Sequence, residues 1–563
     1  MRFCCTFEDM NSKHYTLFPI LSLLSAILLS AGFLFPHCGG FTLIAFVPLL
    51  WMDRIARNDG CRHFWWWHYL TFVLWNAFAT FWVCNATVGG GIAAILINAL
   101  QMSVIWALFR LFAKRQGGHL PYIFLMTAWI SWEKLYFNAE ISWPWLTLGN
   151  AFAYSTTCVQ WYEITGTLGG SLWIWLSNLT IFRVMVLLQE QKWTILNAKA
   201  RAAIAIWTFL LLVVPPVASW IRYATYMPEG SEGLEVSLIQ PNIDPYHKFQ
   251  ALSQAQQNEI ITGLIDSAYA SHPDSTRLLV IAPETVTGDI VLNNLNGSPT
   301  ILTFNRKTNE RKHTDLIFGA STYGFIDSET APSHTARKAS EGMWYENYNS
   351  AFLVNGTNHI EYCHKSKLVV GVEKMPYPAL MSKLDRALGG VMGHCIGQDE
   401  VSLLYAGRKE PVGCAICYES VYPEHFASYV GKGARAMTVI TNDAWWGDTP
   451  GYRQHLRYSC LRAIETRRDI ARCANTGISA FINSRGDIVS ETQWWTREVL
   501  DGRIQLNDNK TVFVRMGDVT GRLCILVAVL MTLNFLLTIL LRRNEPKKPA
   551  AKKGRKAPNR CGR

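Results

Sequence analysis

GCAICYESVYPE, residues 413–424, passes from an apolar run straight into Tyr418 and Glu419. With the two residues before it, PVGCAIC (411–417) reads as a strand, apolar continuously rather than alternately, as expected where both faces are covered. A redox C-x-x-C normally opens a helix, whose N-terminus acidifies the first thiol. Here both cysteines close a strand, where residues three apart face opposite ways and sit about 10 Å apart, beyond the ~7 Å reach of a disulfide. Zinc would need a second ligand pair at comparable spacing, and residues 225–515 hold no other C-x-x-C or H-x-x-x-H. Cys414, inside the apolar run, reads as a core thiol. Cys417 stands where the strand opens into polar residues, the position of a site.

Similar runs recur around it. LEVSLIQ (234–240), RLLVIAP (277–283), DLIFGAS (315–321), SAFLVNG (350–356), AMTVIT (436–441) and ISAFINSRGDIV (478–489) read as strands bounded by turn signals. Gly451 to Asn475 reads as a helix between two of them, so residues 225–515 form an α/β unit. Their length suffices to bury a core of their own.

The rest of the 563-residue chain is of another kind. Apolar runs at 15–35, 39–52, 65–84, 92–112, 120–137, 165–188, 202–220 and 523–541 approach the ~20 residues a membrane helix needs. A cleaved signal would be one short apolar segment, so the expectation is a polytopic anchor of eight spans. Arg54, Arg57 and Arg62, then Lys114 and Arg115, then Lys192, Lys199 and Arg201 follow alternate spans. The intervening loops near His37, Val88 and 138–157 hold no Lys or Arg. The positive-inside rule then places residues 1–14 and the tail 542–563 in the cytoplasm and 225–515 on the outer face. The formal charge of +11 does not point to nucleic acid: the tail from Arg542 carries ten Lys/Arg and one Glu, a net +9, leaving +2 elsewhere. Such a tail suits orientation and contact with anionic lipid. Glu133, inside the fifth span, is the costliest residue there and calls for a partner or a role.

A thiolate nucleophile needs a base and a group that stabilises an oxyanion. Glu284 in IAPETVTG ends a strand and would present its carboxylate at a sheet edge. HKSKLVVGVEKMPY (364–377) offers Lys365, Lys367 and Lys374, among which spacing does not choose.

A strand-end Glu, a Lys before Leu-Val, and Cys-Tyr-Glu at another strand end, in that order, resemble the Glu-Lys-Cys triad of the nitrilase-like superfamily. IQPNIDPYHKF (239–249), YNSAFLVNG (348–356), TNDAWWGDTPGYRQH (441–455) and RAIETRRDIARCANTGISAFINSRGDI (462–488) tighten the match. Joined to membrane helices, and with WEKLYFNAEISWPWLTLG (132–149) in the anchor, the chain resembles the apolipoprotein N-acyltransferase family from about residue 15 to 541. The resemblance implies Glu284 as proton acceptor, Lys365, through its Lys-x-x-Leu-Val setting, as oxyanion lysine, and Cys417 as nucleophile. It also implies Glu373, Tyr418 and Glu419 as supporting residues. Two departures stand out: Val370-Gly371-Val372 precede Glu373 where Pro-Phe-Gly is usual, and Phe249 stands where Trp is common.

The implied fold is a four-layer α-β-β-α sandwich on the periplasmic face of an inner membrane. The implied reaction needs no cofactor or metal. It moves a fatty acyl chain from a phospholipid, through a Cys417 thioester, to the free amine of a diacylated apolipoprotein, the last step of lipoprotein maturation. The alternative is a membrane-tethered amidase with the same triad, for which an eight-span anchor serves no purpose. Phe249, Trp445 and Trp446 are candidate substrate contacts, and YPALMSKLDRALGGVMG (377–393) a candidate lipid-dipping arm. Cys363, Cys395, Cys460 and Cys473 all fall on the oxidising side, where disulfides can form.

Overall fold

The computed structural model describes residues 15–61, 63–228, 232–245, 248, 252–379, 381–382 and 393–544. Phe249, Arg62, most of the candidate arm and the basic tail beyond Asn544 lie outside these. Each early apolar run forms a helix: α1 (Phe18–Leu34), α2 (Val47–Asn58), α3 (Trp65–Thr80), α4 (Val88–Ala113), α5 (Leu120–Tyr136), α6 (Thr167–Gln189) and α7 (Ala198–Thr225). Gly39–Asn58, Val88–Ala113, Thr167–Gln189, Ala198–Thr225 and, near the C-terminus, Val519–Leu541 are long and apolar enough to cross a bilayer; Phe18–Leu34 is a shorter apolar helix. Arg54 and Arg57, expected in a loop after the second span, continue α2 instead. Buried Asp53 holds Arg57 at 2.7 Å and Arg110 of α4 at 3.2 Å, which gives the extra turn a reason to form. Large aromatics fill the bundle, with Phe46 stacked on Trp175 at 4.3 Å between centroids.

Among the described residues the strands form two sheets. The first, of eight strands, contains β1 (Gly233–Gln240), β2 (Leu278–Ile281), β3 (Thr287–Val291), β4 (Thr314–Asp327), β5 (Arg337–Ser340), β6 (Met343–Val354), β7 (Glu361–His364) and β14 (Glu498–Gln505), with path β14-β1-β2-β4-β6-β5. The second, of six, runs in the order β13-β12-β11-β10-β9-β8: β8 (Leu403–Ala406), β9 (Glu410–Ile416), β10 (Ala436–Thr441), β11 (Ile470–Ala474), β12 (Ala480–Ile482) and β13 (Ile488–Glu491). β1, β2 and β4 pair in parallel, as do β9, β10 and β11, so each group ends at one edge of its sheet.

Two expectations are corrected here. The helix expected over 451–475 spans Pro450–Thr466, where Arg467 turns left-handed (φ +50°), and Ile470–Ala474 is a fully buried strand between β10 and β12. Apart from Arg472, whose guanidinium pairs with Asp443, its residues are apolar or small enough to serve either element, and burial between neighbours on both edges decides it. The strand expected over 478–489 is a hairpin, β12 and β13, folded back where Gly486 takes φ +83° and Asn483 N–H donates to Asp487.

The two sheets share one core, in which Leu238, Ile281 and Ile317 meet Cys414, Ile440 and Cys473. Helices α8 (Gln254–Ala270) and α9 (Pro299–Asn309) pack Ile261, Ile265 and Phe304 on the far face of the first sheet, against Phe318 and Phe352. Helices α10 (Pro423–Gly431) and α11 (Pro450–Thr466) pack Phe426, Val430, Leu456 and Cys460 against Ala415 and Val439 of the second. Helix α12 (Val519–Asn544) then returns to the bundle beside α5, its Phe535 stacked on Phe112 at 5.0 Å.

The sheet half rests on the end of the bundle that carries the Lys/Arg-free loops near Val88 and 138–157. Asn85 donates to the Trp446 carbonyl, Gln454 accepts from Trp145, and buried Glu465 accepts from both the N–H and hydroxyl of Thr167 at the start of α6. Arg54, by contrast, pairs with Glu190 at the opposite end of its helix neighbours. Glu133 has its partner: Oε1 accepts from Leu148 N–H at 2.8 Å, tying the loop after α5 to the helix.

Candidate active site

The strand-end positions named from sequence converge. Glu284 follows β2, Lys365 follows β7 and Cys417 follows β9, and the two sheets bring these ends together. Glu284 is 6 % exposed and Lys365 1 %. Glu284 Oε1 accepts from Lys365 Nζ at 3.1 Å and from Asn349 Nδ2 at 2.7 Å, while Oε2 accepts from the Asn442 N–H at 3.1 Å. Gly319 makes room for this turn: a Cβ there would lie 2.6 Å from the Glu284 Cα.

Glu373 completes the acidic pair. Its Oε1 lies 2.9 Å from Lys365 Nζ and 2.7 Å from Asn349 Nδ2, and Oε2 accepts from the Val369 N–H at 2.8 Å. The loop holding it, Val370-Gly371-Val372, turns at Gly371 (φ +84°), so a glycine one place earlier than usual still brings the carboxylate to Lys365. Burial alone would pull the Lys365 ammonium down, but Glu284 and Glu373 reverse this and hold it well above the ordinary lysine range. Lys365 is therefore a fixed cation at neutral pH. Lys367 and Lys374 point elsewhere, to Asn138 and Glu140 after α5.

Cys417 starts a short 3-10 turn (Cys417–Val421) one residue past β9. Its φ is +53°, in the left-handed region that a Cβ-bearing residue adopts at a cost of about 1–3 kcal/mol. Thr285, next to Glu284, is left-handed too, at +52°. Burial first, then the Glu284 charge, pushes the thiol well above the usual cysteine value, with Lys365 opposing. The resting side chain is a neutral thiol that needs a base.

Glu419, fully buried, joins the two loops. It accepts from the N–H of Ile416 at 2.8 Å on the Cys417 side and of Ser366 at 2.6 Å on the Lys365 side, with His425 and Tyr429 each at 3.2 Å. Tyr418 sends its hydroxyl to the Ser142 carbonyl of the bundle and lies over Trp143 at 6.0 Å. Trp446 packs between Trp82, Trp145 and His455, whereas Trp445 is 40 % exposed. Cys414 is fully buried in the core between the sheets, and Cys363, Cys395, Cys460 and Cys473 are all free thiols.

Sequence reasoning missed Asn349, Asn442, Asp443, His455 and Arg472. All lie in or beside the motifs YNSAFLVNG, TNDAWWGDTPGYRQH and RAIETRRDIARCA, but Asn and Asp there read equally as turn formers. Cys417 Sγ, an Asp443 oxygen and a His455 nitrogen lie within 4.8 Å of one another, a spacing that could suit a thiophilic ion. Asp443, however, already binds the Arg472 guanidinium and the Thr441 hydroxyl, and His455 is bonded through both nitrogens. This donor set is spent on its own network.

Comparison with known proteins agrees with the geometry. A carbon-nitrogen hydrolase family model matches residues 329–512, and a model of the apolipoprotein N-acyltransferase N-terminal domain matches 25–180. The sheet core is thus that of a nitrilase-like protein, carried on a bundle of apolar helices. The apolipoprotein N-acyltransferase of Chlorobaculum tepidum is 30% identical over 531 residues, 91% of this chain and 95% of that one. That of Geobacter metallireducens is 26% identical over 519 residues, covering 90% and 93%. The chain belongs to the apolipoprotein N-acyltransferase family. Among solved structures, Saccharomyces cerevisiae Nit3, of the nitrilase superfamily, is similar at 16% identity with a TM-score of 0.37, covering 49% of this chain and 91% of that one.

Proposed function

We propose that this enzyme moves a fatty acyl chain from a membrane phospholipid to the free N-terminal amine of a diacylated apolipoprotein, with Glu284, Lys365 and Cys417 as its catalytic residues. The observation that carries the reading is where the thiol lies: Cys417 packs against the same hydrophobic core as the membrane-type helices, near enough to Glu284 and Lys365 for both charges to act on it. A soluble amide has no need of a nucleophile set on a helix bundle.

In the first half-reaction Glu284 takes the Cys417 proton and the sulfur attacks the ester carbonyl carbon. Lys365 and the Tyr418 N–H face the resulting oxyanion, at about 3–4 kcal/mol per donor. The ester C–O bond then breaks, Glu284 returns the proton to the departing alkoxide, and a lysophospholipid leaves an acyl thioester on Cys417. In the second, the lipoprotein amine attacks the thioester carbon, Glu284 accepts an amine proton, and the C–S bond breaks. The proton passes to sulfur, leaving an amide and the free thiol. The amine's reference pKa of ~7.7–8.0 supplies a neutral fraction near pH 7, and the scheme is ping-pong.

The architecture we infer around this chemistry has eight spans, a four-layer α-β-β-α sandwich over residues 225–515 and the sandwich on the periplasmic face of the inner membrane. The contact of the sheet half with the Lys/Arg-free loops supports that orientation, with the basic tail on the cytoplasmic side. Trp446, at the seam of bundle and site, is the better supported of the two candidate substrate tryptophans.

Labelled phospholipid tests the proposal. A hydroxylamine-labile acyl label forms on Cys417, is absent from Cys417→Ala, and passes to a diacylated lipopeptide only when its amine is free. Release of fatty acid without transfer would favour the hydrolase alternative.

A further inference from the structure

Beneath the nucleophile lies a buried network that the reaction scheme does not use. His455 on α11 has Nε2 3.0 Å from the Cys417 carbonyl oxygen, and Nδ1 3.0 Å from Asp443 Oδ1. Asp443 is held by Arg472 of β11 and by the Thr441 hydroxyl at 2.7 Å. Ser420 Oγ donates to the same Cys417 carbonyl at 2.8 Å and lies 2.9 Å from His455 Nε2. His455, Asp443 and Arg472 are all 0 % exposed.

A carbonyl oxygen and a carboxylate both only accept, so donation from Nε2 to Cys417 and from Nδ1 to Asp443 together make His455 an imidazolium paired with the Asp443 carboxylate. Both ring nitrogens are therefore engaged, and His455 is not a second base for the thiol. What it touches is one end of the Cys417–Tyr418 peptide. That unit is planar and trans, so fixing its C=O fixes the direction of the Tyr418 N–H at its other end. A hydrogen bond accepted by the carbonyl also polarises the unit and strengthens the N–H as a donor. The backbone needs such a hold, because Cys417 is left-handed at φ +53° and would relax if released.

We propose that His455, braced by Asp443 and Arg472, is a positioning residue that aims and strengthens the Tyr418 N–H toward the oxyanion. The inference rests on the reading of Cys417 as nucleophile and Tyr418 N–H as oxyanion donor. It does not require His455 to meet either substrate.

The test compares His455→Phe and His455→Gln in the full-length enzyme, measuring the rate of acyl-thioester formation, KM for phospholipid and alkylation of Cys417 by iodoacetamide. Alkylation is a displacement at carbon that forms no oxyanion, so it reports the thiol without the donor. The Phe variant is expected to lose about a hundredfold in acylation, the cost of an oxyanion donor. Its KM and alkylation rate stay unchanged, and Gln, which can still donate to the carbonyl, recovers most of the loss. Equal loss in both variants, a change confined to KM, or alkylation falling in step with acylation would overturn the inference. Should the Phe variant fail to fold, Ser420→Ala removes the other donor to the same carbonyl: a smaller fall in acylation at constant alkylation is expected, and no fall overturns it. Cys417→Ala separates the two levels, since a labile label persisting there would overturn the nucleophile itself, not the role of His455.

Discussion

Asn349 donates to Glu284 at 2.7 Å, and the same amide nitrogen lies 2.7 Å from Glu373. Two carboxylates, Glu284 buried and Glu373 partly so, thus share one neutral amide and one ammonium, Lys365. Removing the amide in Asn349→Ala should slow acylation by roughly tenfold to a hundredfold, the worth of hydrogen bonds to charged groups. Asn349→Asp should be slower still, because a third carboxylate competes for Lys365. Single-turnover thioester formation measures both, and an Asp variant faster than Ala would contradict the account.

Lys365 is also structural. Lys365→Met leaves Glu284 and Glu373 facing each other without a cation, and should cost about 3–5 kcal/mol. Adding Glu373→Gln should return part of the stability while activity stays lost. Thermal unfolding in detergent reads the first effect and the acylation assay the second.

The thiol's upward shift fixes a pH profile. Since Cys417 is neutral at rest, its alkylation rate should climb about tenfold per pH unit from pH 6 to 9, without the plateau of an acidic cysteine. Glu284→Gln removes the negative charge that adds to burial, so its profile should shift to lower pH even as acyl transfer fails. An unchanged profile would show that Glu284 does not act on the thiol.

Acid should loosen the site from beneath. Burial would raise Glu419 and Asp443, but His425 with backbone N–H groups for the former, and Arg472 with His455 for the latter, hold both below the usual carboxylate range. A depressed folded pKa means stability present above the unfolded value of about 4 and lost as pH falls through the folded one. Melting temperature should therefore drop below about pH 4, and Glu419→Gln or Asp443→Asn should lower it at pH 7 and flatten that dependence.

Much of this was legible in the chain because strand ends and apolar runs are local signals. PVGCAIC and AMTVIT announce buried strands, and Glu284 and Cys417 sit where such runs stop. The helix expected through Asn475 failed because Asp469 is the one turn residue before Ile470–Ala474, and the helix ends at Arg467, left-handed and bonded to Glu163 and Gln160 of the bundle. Asn349, Asp443 and His455 were hidden for another reason: their roles come from partners far away in sequence, Glu284 for Asn349, Arg472 for Asp443 and Cys417 for His455.

Tyr418, Val421, Tyr422, Tyr458, Leu461 and Ile464 belong to one apolar cluster with the tryptophans of the helix bundle. Gly451 approaches Trp82 so closely that a Cβ would lie 2.6 Å from the indole. Cutting the chain at residue 225 would bare this apolar face beside Cys417, and the severed half should aggregate through the surface that frames its thiol. Bundle and sheet half are packed as one body at this face, so a change in the residues of one has to be matched in the other.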